Sequence, residues 1–278
     1  MKRISILFAT AALMCASCGE DIESKAKVLL DEARVASEAK DFSKARLLLD
    51  SLKNTYPKAF KARREAIKLS RDVEYGEQTR SITYYDEQLK QLTEQRDKLL
   101  ADFVLEKDTR YQEEGYYMLP SQTLKNNYGL TYLRAQVSEK GDAMITSVYR
   151  GNKAIEHKSV KLSAGDIFVE CNAPLHKYNS KHLGVYSERL DFRYGQDGGI
   201  MDFILSATGE VKVELSGRSK IEYILRKSDA EAVEKVLELA QVLQNIESLQ
   251  AMRAEASRHI EFIERNRERF EVEEKAAE

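Results

Sequence analysis

Two heptad arrays separated by more than a hundred residues constrain this chain more than any other feature. Ile82, Tyr85, Leu89, Leu92, Arg96, Leu99 and Phe103 follow steps of 3, 4, 3, 4, 3 and 4. That spacing makes an apolar seam along one face of a helix, and the residues between are mostly charged or amidated. Far downstream, Leu249, Met252, Ala256, Ile260, Ile263, Arg267 and Phe270 recur at steps of 3 or 4. Ser228 can cap that helix, with Glu231 three residues on. Each seam carries one charged residue, Arg96 or Arg267, which costs stability and helps fix register and partner choice. The reading is an antiparallel coiled-coil hairpin, residues 76–114 and 227–278, whose connection is a whole inserted domain. Pairing of the two helices between chains, in a homo-oligomer, remains the alternative.

Between the seams, over residues 115–226, the period changes from helical to two. Thr131, Leu133, Ala135 and Val137 alternate with Tyr132, Arg134 and Gln136. Glu139-Lys140-Gly141-Asp142 is a turn, and Ala143–Tyr149 returns as a strand. Further strands are predicted at Ser159–Leu162, Ile167–Cys171, Arg189–Tyr194, Ile200–Ser206, Val211–Leu215 and Ile221–Leu225. Glycine-bearing breaks separate them, such as Gln196-Asp197-Gly198-Gly199. The fold class expected is therefore α+β: helices carrying an all-β sandwich or small barrel. Asn172–His182, with Pro174 and two histidines, reads as an interruption between strands. Residues 172–188 are thus the expected recognition loop, with His176, Tyr178, Asn179, His182 and Tyr186 as its contact residues. Ten of the 14 tyrosines fall between 111 and 223. Tyr offers contact area at low entropy cost and is equally an ordinary strand former.

Ahead of the first seam, residues 24–75 read as helices. Leu29, Ala33 and Ala36 share one face, then Phe42, Ala45, Leu49 and Leu52 another. Asp41 can start the second helix and Pro57 marks a stop beyond it. This pattern resembles one tetratricopeptide repeat, and the resemblance implies protein–protein binding. One such unit cannot bury its apolar face alone, so it must pack on a neighbour.

At the extreme N-terminus, Lys2 and Arg3 precede an apolar stretch, Ile4–Met14, too short to span a bilayer. Cys15-Ala16-Ser17-Cys18 follows. It resembles a bacterial lipobox, with small residues before a cysteine that becomes the acylated first residue. The resemblance implies a signal peptide at 1–17, a tether beginning at Cys18, and lipid anchoring in the bacterial cell envelope at the outer membrane. An ordinary secretory cleavage near Ser17 is the alternative. Gly19-Glu20-Asp21-Ile22-Glu23 is similar to the acidic surface-export signal of some Gram-negative lipoproteins, and serves equally as a solvated tether.

Removing residues 1–17 takes Lys2 and Arg3 with it, leaving 42 basic against 46 acidic residues and a net charge of −4. With no sustained basic patch, this is not a nucleic-acid binder's balance. Cys171 is then the one cysteine besides Cys18, and a lone thiol in an oxidising compartment is usually buried and inert. The chain has no phosphate loop, HExxH, nucleophile elbow or paired-cysteine site. A zinc site drawn from His176, His182 and Cys171 would match no known spacing. No cofactor and no enzymatic activity are expected. The expectation is an adaptor that meets another envelope protein through its helices and the membrane through lipid on Cys18. The alternative is a surface module that takes up glycan or peptide on its β domain.

Overall fold

The computed structural model describes the backbone from Ala9 to Ala277 and side chains from Asp21 to Arg269. The side chains of the expected signal peptide at 1–17, of Cys18, the expected lipidation site, and of the last seam residue Phe270 lie outside the described side chains. Among the described residues the architecture is mixed α+β, with five α-helices and two antiparallel sheets of six and four strands. The chain divides into two units: residues 1–87 with 250–278, and residues 88–249.

The first unit is helical. It takes α1 (Ala9–Glu38), α2 (Phe42–Thr55), the first part of α3 (Phe60–Leu100) and the last part of α5 (Lys227–Ala277). Asp41 starts α2 by accepting a hydrogen bond from the Lys44 backbone N–H at 3.1 Å, which satisfies one of the free donors of the first turn. Ala26, Leu30, Ala33 and Ala36 of α1 meet Phe42, Ala45, Leu49 and Leu52 of α2, with Ala62, Ala66 and Val73 of α3 completing the core. Leu30 fills the apolar position that the sequence pattern gives to Leu29, which is half-buried beside it. Small residues let these helices approach closely, and Gly76 is the clearest case. A Cβ there would lie 2.4 Å from the Phe42 ring. Gly76→Ala is expected to cost about 1–3 kcal/mol by displacing that ring, read as a lowered denaturant midpoint.

The second unit carries the sheets. The strands are β1 (Val104–Glu106), β2 (Tyr116–Met118), β3 (Tyr132–Ser138), β4 (Ala143–Gly151), β5 (Ser159–Ala164), β6 (Ile167–Cys171), β7 (His176–His182), β8 (Val185–Arg193), β9 (Lys212–Ser216) and β10 (Lys220–Ile224). They pair in the orders β1-β2-β3-β4-β8-β7 and β10-β9-β5-β6. Both sheets end on edge strands, so the barrel alternative falls. One apolar cluster draws on both sheets: Leu133, Ile145 and Phe192 from the first, Val160, Leu162 and Leu215 from the second. It also takes Val233, Val236 and Leu239 of α5, with Leu99 and Phe103 packed against it. The unit therefore extends beyond the period-two region 115–226 at both ends.

Two expectations need correcting. The all-β domain contains a helix, because Ile200–Ser206, read as a strand, is α4. Its buried residues Ile200, Met201, Phe203 and Ile204 sit at helical spacing. The buried Asp197 carboxylate accepts from the Met201 N–H at 2.8 Å and steadies the first turn. The recognition loop 172–188 is largely a hairpin, β7 and β8. Leu183 and Gly184 form its two-residue turn with φ of 46° and 81°, the left-handed pair whose twist matches the flanking strands.

Candidate functional site

Alternation along four neighbouring strands gives the six-stranded sheet two faces. One face presents Leu133, Ile145, Leu190 and Phe192 to the core. The other sets residues of opposite parity in rows across the strands. Arg134, Thr146, Asp191 and His176 form one row, and Tyr132, Val148, Arg189 and Tyr178 the next. Arg150, Ser187 and Ser180 follow. These rows line a groove of about 670 Å³, with Glu106, Asp108 and Tyr116 on its far side.

Segment 119–130 is fixed beside the groove by Gln122, which is fully buried. Its Oε1 accepts from the Ala135 N–H at 3.1 Å, and its Nε2 donates to Asp229 at 2.8 Å. Asp229 in turn holds the Arg226 guanidinium at 2.6 Å.

The guanidiniums of the groove are unusual in what they lack. The Nε atoms of Arg134, Arg150 and Arg189 are all buried with no hydrogen-bond acceptor, and the Gln136 Oε1 is buried with no donor. Buried polar groups are normally paired, and each orphan costs stability unless something else satisfies it. Among the described residues the Arg134 guanidinium has Glu106 as its ion-pair partner, at 3.7 Å. Arg150 lies over the Tyr128 ring at 5.1 Å, and Arg189 over Tyr178 at 4.9 Å. Stacking fixes the plane of a guanidinium and leaves the donors at its edge free to grip a planar anion. Asp191 accepts from the Thr146 hydroxyl at 2.7 Å. Burial, then the charges of Glu114 and Asp191, push the Tyr116 phenol up, and burial does the same for Tyr132.

Of the residues read as recognition contacts, His176 and Tyr178 line this groove. Asn179 and Tyr186 have the other parity on their strands, and His182 sits at the hairpin turn. The arginines escaped the sequence reading because a charged residue on an alternating strand ordinarily marks a solvated face. Cys171 is buried, its thiol 3.7 Å from the Gln196 carbonyl. Among the described residues, no three His, Cys, Asp or Glu side chains converge as metal ligands would.

A second polar cluster lies on the core side. The Ser147 hydroxyl is 3.2 Å from His157 Nε2, and His157 Nδ1 is 3.0 Å from Glu188. Serine, imidazole and carboxylate thus follow one another as in a nucleophilic triad. Ser147 and His157 are wholly buried and Glu188 nearly so, which denies a substrate access to the hydroxyl. The cluster instead anchors a turn. Glu188 accepts the backbone N–H groups of Ile155, Glu156 and His157 at 2.9–3.0 Å. Glu156 takes a left-handed φ of 50°, so three successive N–H groups converge on one carboxylate.

Burial pushes the His157 imidazole below its usual range, against the pull of Glu188 and with help from the Lys177 charge. Burial alone would raise the Glu188 carboxyl. The His157 ring and the three N–H groups outweigh it and hold the carboxyl below its ordinary value. Both groups bind fewer protons folded than unfolded, so both lose stability as pH falls. Stability is expected to decline from pH 6.5, the ordinary histidine value, and to decline further below 4.5 as Glu188 protonates. Urea midpoints from pH 8 to 4 would check this, with His157→Gln flattening the upper part of the curve.

The chain matches no family model, no curated protein and no solved structure.

Proposed function

We propose that this chain is a non-enzymatic, lipid-anchored protein of the bacterial cell envelope. Its β domain holds a polar ligand on the open face of the six-stranded sheet. The observation that carries the binding role is the set of three buried guanidinium Nε donors without a protein acceptor, gathered on one groove. A ligand rich in acceptors would recover what those donors lose on burial. Of the tyrosines on that groove, Tyr178 is half exposed and can offer contact area, whereas Tyr132 is buried and packs beneath it.

The anchor rests on the lipobox resemblance at Cys18. No helix among the described residues is long and apolar enough to cross a membrane. The two sheets sharing one apolar cluster support a sandwich. The coiled-coil hairpin draws support from ion pairs in the helical unit. Arg253 pairs with Asp86 at 2.5 Å, and Arg267 pairs with Asp72. Moving 14 residues back along α3, from 86 to 72, moves 14 forward along α5, from 253 to 267. Two heptads in opposite directions is the register of an antiparallel pair.

A thermal-shift screen of the full chain against sugars, amino acids and small carboxylates tests the binding role. A true ligand raises the melting temperature of the wild type. The Arg150→Gln/Arg189→Gln double variant should not respond. An equal response from both proteins would remove the groove from the account. Replacing Cys18 with Ser tests the anchor: the variant should leave the membrane fraction, and its retention there would contradict lipid attachment.

The adaptor reading stands second, supported by a different observation. In the helical unit a groove of about 420 Å³ is lined by Leu49, Leu52, Ala66, Ile67, Phe262 and Ile263. Ile67 and Phe262 are more than half exposed there. Crosslinking in intact cells should capture one stoichiometric partner that Phe262→Asp loses. Capture that the substitution leaves unchanged would count against this groove.

A further inference from the structure

We infer that the ligand of the sheet groove is an acidic sugar, a polyhydroxylated ring bearing a carboxylate, held through Arg150 and Arg189. This rests on the binding role proposed above and narrows it to one chemical class.

The carboxylate follows from the two stacked arginines. Arg189 stands opposite Val148, two residues along β4 from Arg150. From usual strand spacing and rise, their Cα atoms lie roughly 8 Å apart. Side chains of that length, leaning on Tyr128 and Tyr178, can reach a common anion between them. The fixed fork of a guanidinium matches the two oxygens of a carboxylate, and its pinned plane reduces the entropy lost on binding.

The hydroxyls follow from the acceptors in the same groove. Gln136 Oε1 is buried without a donor. Asp191, Glu106 and Asp108 also line the cavity. A bare polyanion would satisfy the arginines and be repelled by these three carboxylates. A neutral sugar would suit the acceptors and leave the guanidiniums unpaired. One carboxylate among several hydroxyls answers both sets.

The test is calorimetric titration of the full chain in detergent with uronic and sialic acid oligosaccharides. Each is paired with its carboxyl-reduced neutral form, and inorganic phosphate is included as a separate anion. At least one acidic sugar should bind, and its reduced form should bind about ten- to a hundredfold more weakly, the range expected for a charge-assisted hydrogen-bond pair. Arg189→Lys keeps the charge and loses the fork, and should weaken the acidic form about tenfold or more while sparing the reduced form. Equal binding of acidic and reduced sugars, abolished by the Arg150→Gln/Arg189→Gln variant, would overturn the inference and leave the groove's binding role standing. So would tight binding of phosphate that acidic sugars do not displace. If no sugar binds while another polar ligand does, the inference fails alone. If no ligand of any kind binds, both fall.

Discussion

Replacing Glu188 with Ala is expected to cost about 3–5 kcal/mol of stability, because several buried donors lose their acceptor at about 1–3 kcal/mol each. Among the described residues the carboxylate alone accepts the N–H groups of Ile155, Glu156 and His157, and it also accepts from His157 Nδ1. The N–H groups of Ile155 and His157 and the His157 ring would be left buried without an acceptor, while the Glu156 N–H is only partly buried. The left-handed backbone at Glu156 loses the anion that favours it. Glu188→Gln retains one carbonyl oxygen of the right reach and should cost less than the alanine change. Equilibrium urea unfolding of both variants checks the pair. An alanine variant within about 1 kcal/mol of the wild type would mean that water or a rearranged turn satisfies those donors. Because the cluster is sealed, neither change touches the arginine groove directly, and any loss of binding should follow the loss of folded protein.

The second large effect belongs to the helical unit. Leu52 is wholly buried on α2, in a core whose other members are mostly alanine. Leu52→Ala is expected to destabilise the protein by about 2–5 kcal/mol, because small rigid neighbours cannot collapse into the space left behind. Leu52→Met keeps the volume and should cost less than about 1.5 kcal/mol. Calorimetric melting of the two variants separates packing from mere hydrophobicity. Near-equal melting temperatures would show that the site tolerates a void, contrary to the close helix approach that Ala33, Ala36 and Ala45 permit.

Local rules made some of this legible. Asp41 caps α2 because a carboxylate before a helical run satisfies a free N–H, and that needs only neighbours in the chain. Ala45, Leu49 and Leu52 announce their shared face by spacing alone. Alternation of Tyr132, Arg134 and Gln136 separated the two faces of β3 before any partner strand was known. Non-local pairing decided the rest. Thr146 meets Asp191 from 45 residues away, and no motif fixes that register. The arginines are dispersed over β3, β4 and β8, so their convergence exists only once the sheet order is known. The same holds for Ser147, His157 and Glu188. α4 misled for a local reason: seven residues are too few to separate helical spacing from alternation when nearly all are apolar. β7 misled because its residues are polar on both faces, so an edge strand looked like a loop.

The arginine Nε–H groups offer the most direct measurement of the central claim. Nitrogen-edited NMR of the full chain should show three such protons, from Arg134, Arg150 and Arg189, that exchange slowly with water in the free protein. A bound polar ligand should shift all three together, and the assignments follow from single Arg→Lys variants. A ligand that binds tightly and leaves all three resonances unmoved would contradict the account and place the binding surface elsewhere on the molecule.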